Sequence, residues 1–249
     1  MFKKLLSAVG IGGATVDTQL VTPVLQPGER FRVDVHVEGG EVRQAIDGLQ
    51  LAVVTRVEIE AGDHEFVGAH VVQHWTVADG FVLEPGERQT IPFEAVLHPE
   101  TPVTEIDCRS NQTRVWLQTG LAIDMAKDAS DRDPVRVAPT PAMRAFLSAM
   151  RTCGFALQTA DVEKGFLNAK TFRSHSGCYQ EFEFRPMSLG HGLVQQVEVS
   201  FVPEEQRTHV LLEIDRAFRG DSFRAFTIDH RQIDEASLTS RIREAVGRR

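Results

Sequence analysis

The heptapeptide Val24-Leu25-Gln26-Pro27-Gly28-Glu29-Arg30 returns as Val82-Leu83-Glu84-Pro85-Gly86-Glu87-Arg88, each copy set between two alternating apolar runs. Pro fixes φ at the first central residue of a turn and Gly accepts the positive φ needed at the second, so each copy specifies a type II reversal between strands. Two copies are too few for a solenoid or propeller, and they suit paired hairpins of a β-sandwich.

From Thr15 to Val137 the dominant period is two. Phe31, Val33, Val35 and Val37 alternate with Arg32, Asp34 and His36, and Leu49, Leu51, Val53, Val57 and Ile59 alternate with polar neighbours. The same alternation runs through Val67, Ala69, Val71, Trp75 and Val77, through Ile91, Phe93, Ala95 and Leu97, and through Val115, Leu117, Leu121 and Ile123. Strands of this kind bury one face and wet the other, which predicts an antiparallel sandwich.

A boundary follows. Asp124 to Asp133 is acidic, and Val137-Ala138-Pro139-Thr140-Pro141 reads as an extended connector, because each Pro disfavours α conformation in the residue before it. Thr140 is placed to cap a helix with Pro141 at its first position, Met143, Phe146, Leu147 and Met150 as its apolar stripe, and Gly154 at its end. Strand periodicity returns at Phe182 and Phe184, at Val197, Val199 and Phe201, at Val210, Leu212 and Ile214, and at Phe226 and Ile228. A final helix with Leu238, Ile242, Ala245 and Val246 on one face is capped by Ser237 or Asp234. The expected fold class is therefore mainly β: a sandwich over 1–137, then a smaller mixed strand-and-helix domain over 138–249. At the amino end Phe2, Leu5, Leu6 and Val9 share one helical face, a short amphipathic helix expected to dock on protein rather than on a membrane surface.

Composition excludes several functions. A net charge of -8 argues against DNA as a partner. Cys108, Cys153 and Cys178 are odd in number and lack C-x-x-C spacing, as expected of reduced thiols in a cytoplasmic chain rather than a disulfide framework or zinc ribbon. The longest apolar stretch, Leu5 to Val16, is too short and too polar for a membrane span and lacks a secretory h-region.

Candidate chemistry is sparse. His70 and His74 have the spacing of helical zinc ligands but lie in a strand-like segment, where four residues span ~13 Å. Asp124, Asp128, Asp131 and Asp133 lack the register of a calcium loop. Arg216 to Phe226 interleaves three Arg with three Phe, a pattern also used for single-stranded nucleic acid, against which the acidic balance weighs. On a strand, Phe182 and Phe184 enter the core while Glu181, Glu183 and Arg185 project together from the other face. With the strand carrying Glu213, Asp215 and Arg216 beside it, that face becomes a ladder of mixed charge, suited to an interface. The alternative is a carbohydrate-binding or carbohydrate-active sandwich using Glu181 and Glu183 as a carboxylate pair, for which the chain offers few Trp and Tyr.

Several segments in order resemble the bacterial sporulation-control protein family: Phe2-Lys3-Lys4-Leu5-Leu6 through Gly12, Val16-Asp17-Thr18, Pro27-Gly28-Glu29, Gly39-Gly40 with Gln44, Asp131-Arg132-Asp133-Pro134, Gly154-Phe155 with Asp161-Val162-Glu163, Gln180 to Pro186, and Glu213-Ile214-Asp215-Arg216. The chain departs from the family pattern after Arg216, where Ala217-Phe218 replaces a doubly basic run before Arg219. The resemblance implies an arrestin-like (immunoglobulin-like) amino-terminal sandwich and a non-enzymatic regulatory adaptor or scaffold of the bacterial cytoplasm. It implies no catalytic residue, metal or cofactor. The expected partners are other proteins and a second copy of the chain, a dimer being favoured. The expected contact residues are Glu181, Glu183, Arg185, Asp215, Arg216 and Arg219, with Phe2 and Leu5 at the amino end.

Overall fold

Both copies of the repeated heptapeptide turn as their Pro-Gly pairs require. Gly28 and Gly86 have φ of +82° and +68°, and the Glu29 and Glu87 N–H groups each donate to the carbonyl three residues back, Gln26 and Glu84, at 3.1 Å. The turns lead into β2 (Arg30–Glu38) and β5 (Arg88–Val96). These strands pair antiparallel, with Arg30 opposite Val96 and Glu38 opposite Arg88, so the two turns cap opposite ends of one ladder. The computed structural model describes residues 13–62, 64–123, 129–188, 193–218 and 220–247. The expected amino-terminal helix with Phe2 and Leu5, the contact residue Arg219, and Asp124 and Asp128 of the acidic run lie outside the described residues.

With β1 (Thr15–Leu20), the strands β2 and β5 form a three-stranded sheet in the order β1-β2-β5. Its facing layer contains β3 (Gln44–Ala61), β4 (His64–Leu83), β7 (Val115–Ile123) and β8 (Ala129–Pro134); a short β6 (Ser110–Asn111) lies elsewhere. The alternating residues Phe31, Val33, Val35 and Val37 are buried against Leu49, Leu51, Val53 and Leu117 of the opposite layer. Trp75 sits edge-on between Phe31 and Phe93, with ring centroids at 5.6 and 6.1 Å, and ties the two layers together.

One expectation about β4 fails. Val67 and Val71 are exposed, whereas Trp75 and Val77 pack on the core. The cause is a bulge: Val53 pairs with Gln73 but its neighbour Val54 pairs with Val71, leaving Val72 as an extra residue. An extra residue reverses which parity faces inward. The odd-numbered positions 67 to 71 therefore look outward, and Val72 is the buried one.

The carboxy-terminal portion is an antiparallel meander of β9 (Phe155–Lys164), β10 (Cys178–Pro186), β11 (Val194–Pro203), β12 (Arg207–Arg216) and β13 (Ser222–Asp229). Its inner face carries Phe182, Phe184, Val197, Val199, Phe201, Val210, Leu212 and Ile214, all buried. Two helices cover this face. The first, α1 (Pro141–Thr152), starts at Thr140, whose hydroxyl accepts from the Met143 N–H at 3.3 Å, has Pro141 in its first turn, and is followed by Gly154 at φ +87°. The second, α2 (Glu235–Val246), is capped by Asp234, which accepts from Ala236 N–H at 3.0 Å. Phe146 of α1 meets Phe201 and Phe226 at 5.7 and 6.0 Å, anchoring the helix on the sheet.

The two portions are hydrogen-bonded to each other. Glu58 of β3 pairs in parallel with Glu163 of β9, so among the described residues the meander and the β3 layer form one ten-stranded sheet. The connector is buried at Val137, where Leu25 N–H donates to the Arg136 carbonyl and Thr104 N–H to that of Val137, both at 2.8 Å. Gln180, inward-facing on β10, accepts from Val103 N–H at 2.8 Å and donates to the Val103 carbonyl at 2.9 Å and the Thr113 hydroxyl at 2.8 Å. None of the three cysteines forms a disulfide.

Candidate functional site

Among the described residues the outer face of the meander carries no helix, and the alternation that buries Phe182 and Val199 turns carboxylates outward from β9, β10, β11 and β12. Across β10, β11 and β12 the register sets Glu183 opposite Glu198 and Glu198 opposite Glu213. One row over, Asp161 of β9 faces Glu181, which in turn faces Ser200. Neighbouring strands lie about 4.8 Å apart, so these rows compress like charges. Carboxylate oxygens of Asp161, Glu163 and Glu181 all lie within 4.8 Å of one another.

The loop 165–177 between β9 and β10 folds over part of this face. Its ends are closed by Gly165 N–H donating to the Gly177 carbonyl at 3.1 Å. The Glu100 carboxylate pins it from the sandwich side, accepting from His175 N–H at 2.9 Å and Ser176 N–H at 2.8 Å. His70 of β4 adds a 2.6 Å contact from Nε2 to the Ser176 carbonyl. Phe172 stacks on His209 with centroids 4.7 Å apart, and Leu167 and Phe172 pack on Val202.

Between this loop and β13 lies an open groove of about 720 Å³. Its floor is Tyr179, Glu181, Glu198, Ser200, Leu211 and Glu213; Phe166 and Lys170 stand on the loop side, Phe223 and Arg224 on the β13 side. Phe166 and Phe223 are 49% and 55% exposed.

Lys170 and Arg224 line the groove, but the floor and its surroundings are mostly acidic. Arg56 pairs with Glu58 at 2.9 Å and Arg185 with Glu183 at 2.8 Å, but among the described residues no ion pair reaches Asp161, Glu163, Glu181, Glu198 or Glu213. Burial first, and repulsion from Glu58, Glu198 and one another second, push Asp161 up to about 6, Glu163 to about 7 and Glu181 to about 8. Glu213 is raised by the same causes, with Glu198 its largest charged neighbour. Tyr179 is also raised, by burial and then by Glu181.

The expected contact residues divide. Glu181, Glu183 and Arg185 do share the outer face of β10. The strand bearing Glu213, Asp215 and Arg216 is not beside them, because the two successive hairpins place β11 between β10 and β12. The ladder of mixed charge is accordingly replaced by a face dominated by carboxylates. Arg216 is committed internally, its guanidinium donating to Ser222 Oγ and, at 3.3 Å, to the Ala245 carbonyl near the end of α2. Arg224 donates to the Phe223 carbonyl at 2.9 Å and Phe226 packs on the core, whereas Phe218 and Phe223 are exposed.

Three residues were missed: Asp161, Glu163 and Glu198. The alternations Ala160-Asp161-Val162-Glu163 and Val197-Glu198-Val199 held the signal, but only sheet order shows that they share a face with Glu181. His70 and His74 pair with Thr55 and Ala52, an odd separation that turns them to opposite faces of β4, so they do not converge on a metal. Asp131 accepts from Thr18 N–H and Arg132 N–H, both at 2.8 Å, and burial with Asp131 beside it raises Asp133 to about 6. Among the described residues no helix is long and apolar enough to cross a membrane.

A sandwich joined edge-on to a helix-backed meander, with its most distinctive surface an acidic groove under a pinned loop, defines a predominantly β protein of two packed layers at each end. The model of the SpoOM protein family matches residues 2–218, and the chain belongs to that family. It is 34% identical over 220 residues to the sporulation-control protein Spo0M of Bacillus subtilis (strain 168), covering 88% of this chain and 82% of the relative. The crystal structure of Spo0M from Bacillus subtilis superposes with a TM-score of 0.84 at 28% identity, over 95% of this chain and 99% of that one.

Proposed function

We propose that this protein is a non-enzymatic regulatory adaptor of the sporulation-control type, acting in the bacterial cytoplasm by holding other proteins. Membership of the family supports the regulatory role, and the groove supports the mode of action. The observation that carries the reading is the juxtaposition of half-buried carboxylates that make no ion pair among the described residues with exposed Phe166 of the loop and Phe223 of β13. Such a surface combines apolar contact with directional charge, as protein interfaces do. Glu181, Glu183, Arg185 and Asp215, with Glu213 of the groove floor, are the proposed contact residues. The test is affinity purification from the native host with the wild-type chain and with the double variant Glu181→Gln/Glu213→Gln. Partners lost in the variant, while it still unfolds cooperatively, support the adaptor; an unchanged set of partners argues against it.

Self-association is the second part of the proposal, and a different feature favours it. Strand β4 runs for 20 residues, pairs among the described strands only with β3, and exposes Phe66, Val67 and Val71. A long edge with apolar side chains invites pairing with a second copy. Sedimentation of wild type and of Val67→Lys/Val71→Lys decides it: a dimer that the variant converts to monomer is the expected result, and identical sedimentation overturns the assignment.

A further inference from the structure

The groove walls, its charge and its position all bear on what would fill it. Its volume of about 720 Å³ is that of a site for a side chain and its neighbours rather than for a bare ion. The exposed faces of Phe166 and Phe223 suit an alkyl stem, and Phe166 already has the Arg173 guanidinium 5.3 Å from its ring centroid. On the floor, Glu181, Glu198 and Glu213 have no cationic partner among the described residues, and burial first, then repulsion from Glu198, Asp161, Glu163 and Glu213, raises Glu181 to about 8. A positive charge seated there relieves that repulsion; an anionic ligand would add to it. The groove also opens at Phe223, Arg224 and Ala225 of β13, which among the described strands pairs only with β12 and so is the edge strand of the meander. An extended peptide backbone can hydrogen-bond along such an edge while one side chain enters the groove.

We infer that the groove takes a Lys or Arg side chain from an extended segment of a partner protein, its cationic head at Glu181, Glu198 and Glu213 and its stem against Phe166 and Phe223. This deepens the adaptor reading and rests on it. Charge complementarity chooses the occupant: the carboxylates attract the head, the aromatics hold the methylenes, and the β13 edge distinguishes a peptide from a small diffusible cation.

The test is binding of fluorescein-labelled peptides that alternate Val with Lys or Arg to the full-length chain, followed by fluorescence anisotropy. Matched peptides carry norleucine or Glu in place of the basic residues, and spermine and Ca²⁺ serve as competitors. The expected result is binding of the basic peptide only, weakened about tenfold in Glu181→Gln/Glu213→Gln and weakened further by salt. Thermal melts of both proteins establish that the variant is folded. Equal binding of the norleucine peptide, or no effect of the double variant, overturns the inference. Displacement by spermine or Ca²⁺ at concentrations below that of the peptide does so too, by assigning the groove to a small cation. If basic peptides do not bind but host proteins are still captured in a Glu181- and Glu213-dependent way, this inference fails and the adaptor reading stands.

Discussion

Asp161 and Glu181 stand directly opposite each other on β9 and β10, both outward-facing and both held above the usual carboxylate range. A sheet designed for stability alone would set a cation or a hydroxyl across from one of them. The opposition therefore costs stability, and its size depends on how many of the neighbouring acids are ionised.

The pH dependence follows from that opposition. A carboxyl whose native pKa lies above its unfolded value binds its proton more tightly in the folded state, so its contribution to stability is present at low pH and lost as pH rises through the native value. Asp161, Glu163 and Glu181 ionise in turn from about 6 to about 8, facing Glu58, Glu60 and Glu198 with Arg56 as the opposing cation. The melting temperature is expected to fall from about pH 4, where the unfolded carboxyls ionise, to about pH 8, where Glu181 is the last to do so. Glu181→Gln removes the last step and raises stability above it by about 1 kcal/mol, or roughly 2–4 °C. Calorimetry of both proteins over the window checks this; parallel curves for the two would refute it.

Gln180 contributes in the opposite sense. Its amide closes three hydrogen bonds to Val103 and Thr113 in the interior, and Gln180→Ala takes away the side-chain partner of the Val103 N–H and carbonyl. Each orphaned buried polar group costs about 1–3 kcal/mol, so a total near ~3 kcal/mol is expected. Urea unfolding should show a lower midpoint with an unchanged slope.

Two glycines separate conformational from steric demand. At Gly86, φ is +68° and an added Cβ would meet nothing within 4 Å, so Gly86→Ala is expected to cost only the left-handed strain, about 1–2 kcal/mol. At Gly39 a Cβ would lie 2.2 Å from the Glu84 carbonyl oxygen, and backbone on both sides would have to shift. Gly39→Ala is therefore predicted to be the more damaging by denaturation; the reverse ranking would show that the second turn tolerates displacement.

Glu100 fixes the loop over the groove, and its removal should loosen the loop without unfolding the sheet. Hydrogen exchange at His175 and Ser176, whose N–H groups it accepts, is expected to accelerate by an order of magnitude or more in Glu100→Ala, while the amides of β10 keep their protection. Uniform acceleration across β10 would show that the loop is part of the sheet's cooperative unit.

How much of this was legible in the residues can be traced element by element. The turns at Gly28 and Gly86, the strand β2, the Thr140 cap and the outward side of β10 each follow from interactions within a few positions along the chain, where φ preference, period and hydrogen-bonding capacity are fixed by residue type. The bulge at Val72 was hidden because an extra residue in one strand shows only against its partner. The acidic face was hidden for the same reason at larger scale. Asp161, Glu181 and Ser200 are 20 and 19 positions apart in succession, and only the order β9-β10-β11-β12 sets them in one row. Sequence by itself determined strands, turns, caps and the side on which each polar residue emerges, because these are local. Tertiary structure alone decided which carboxylates meet and what groove lies over them, because electrostatic repulsion and concavity are properties of distances between strands.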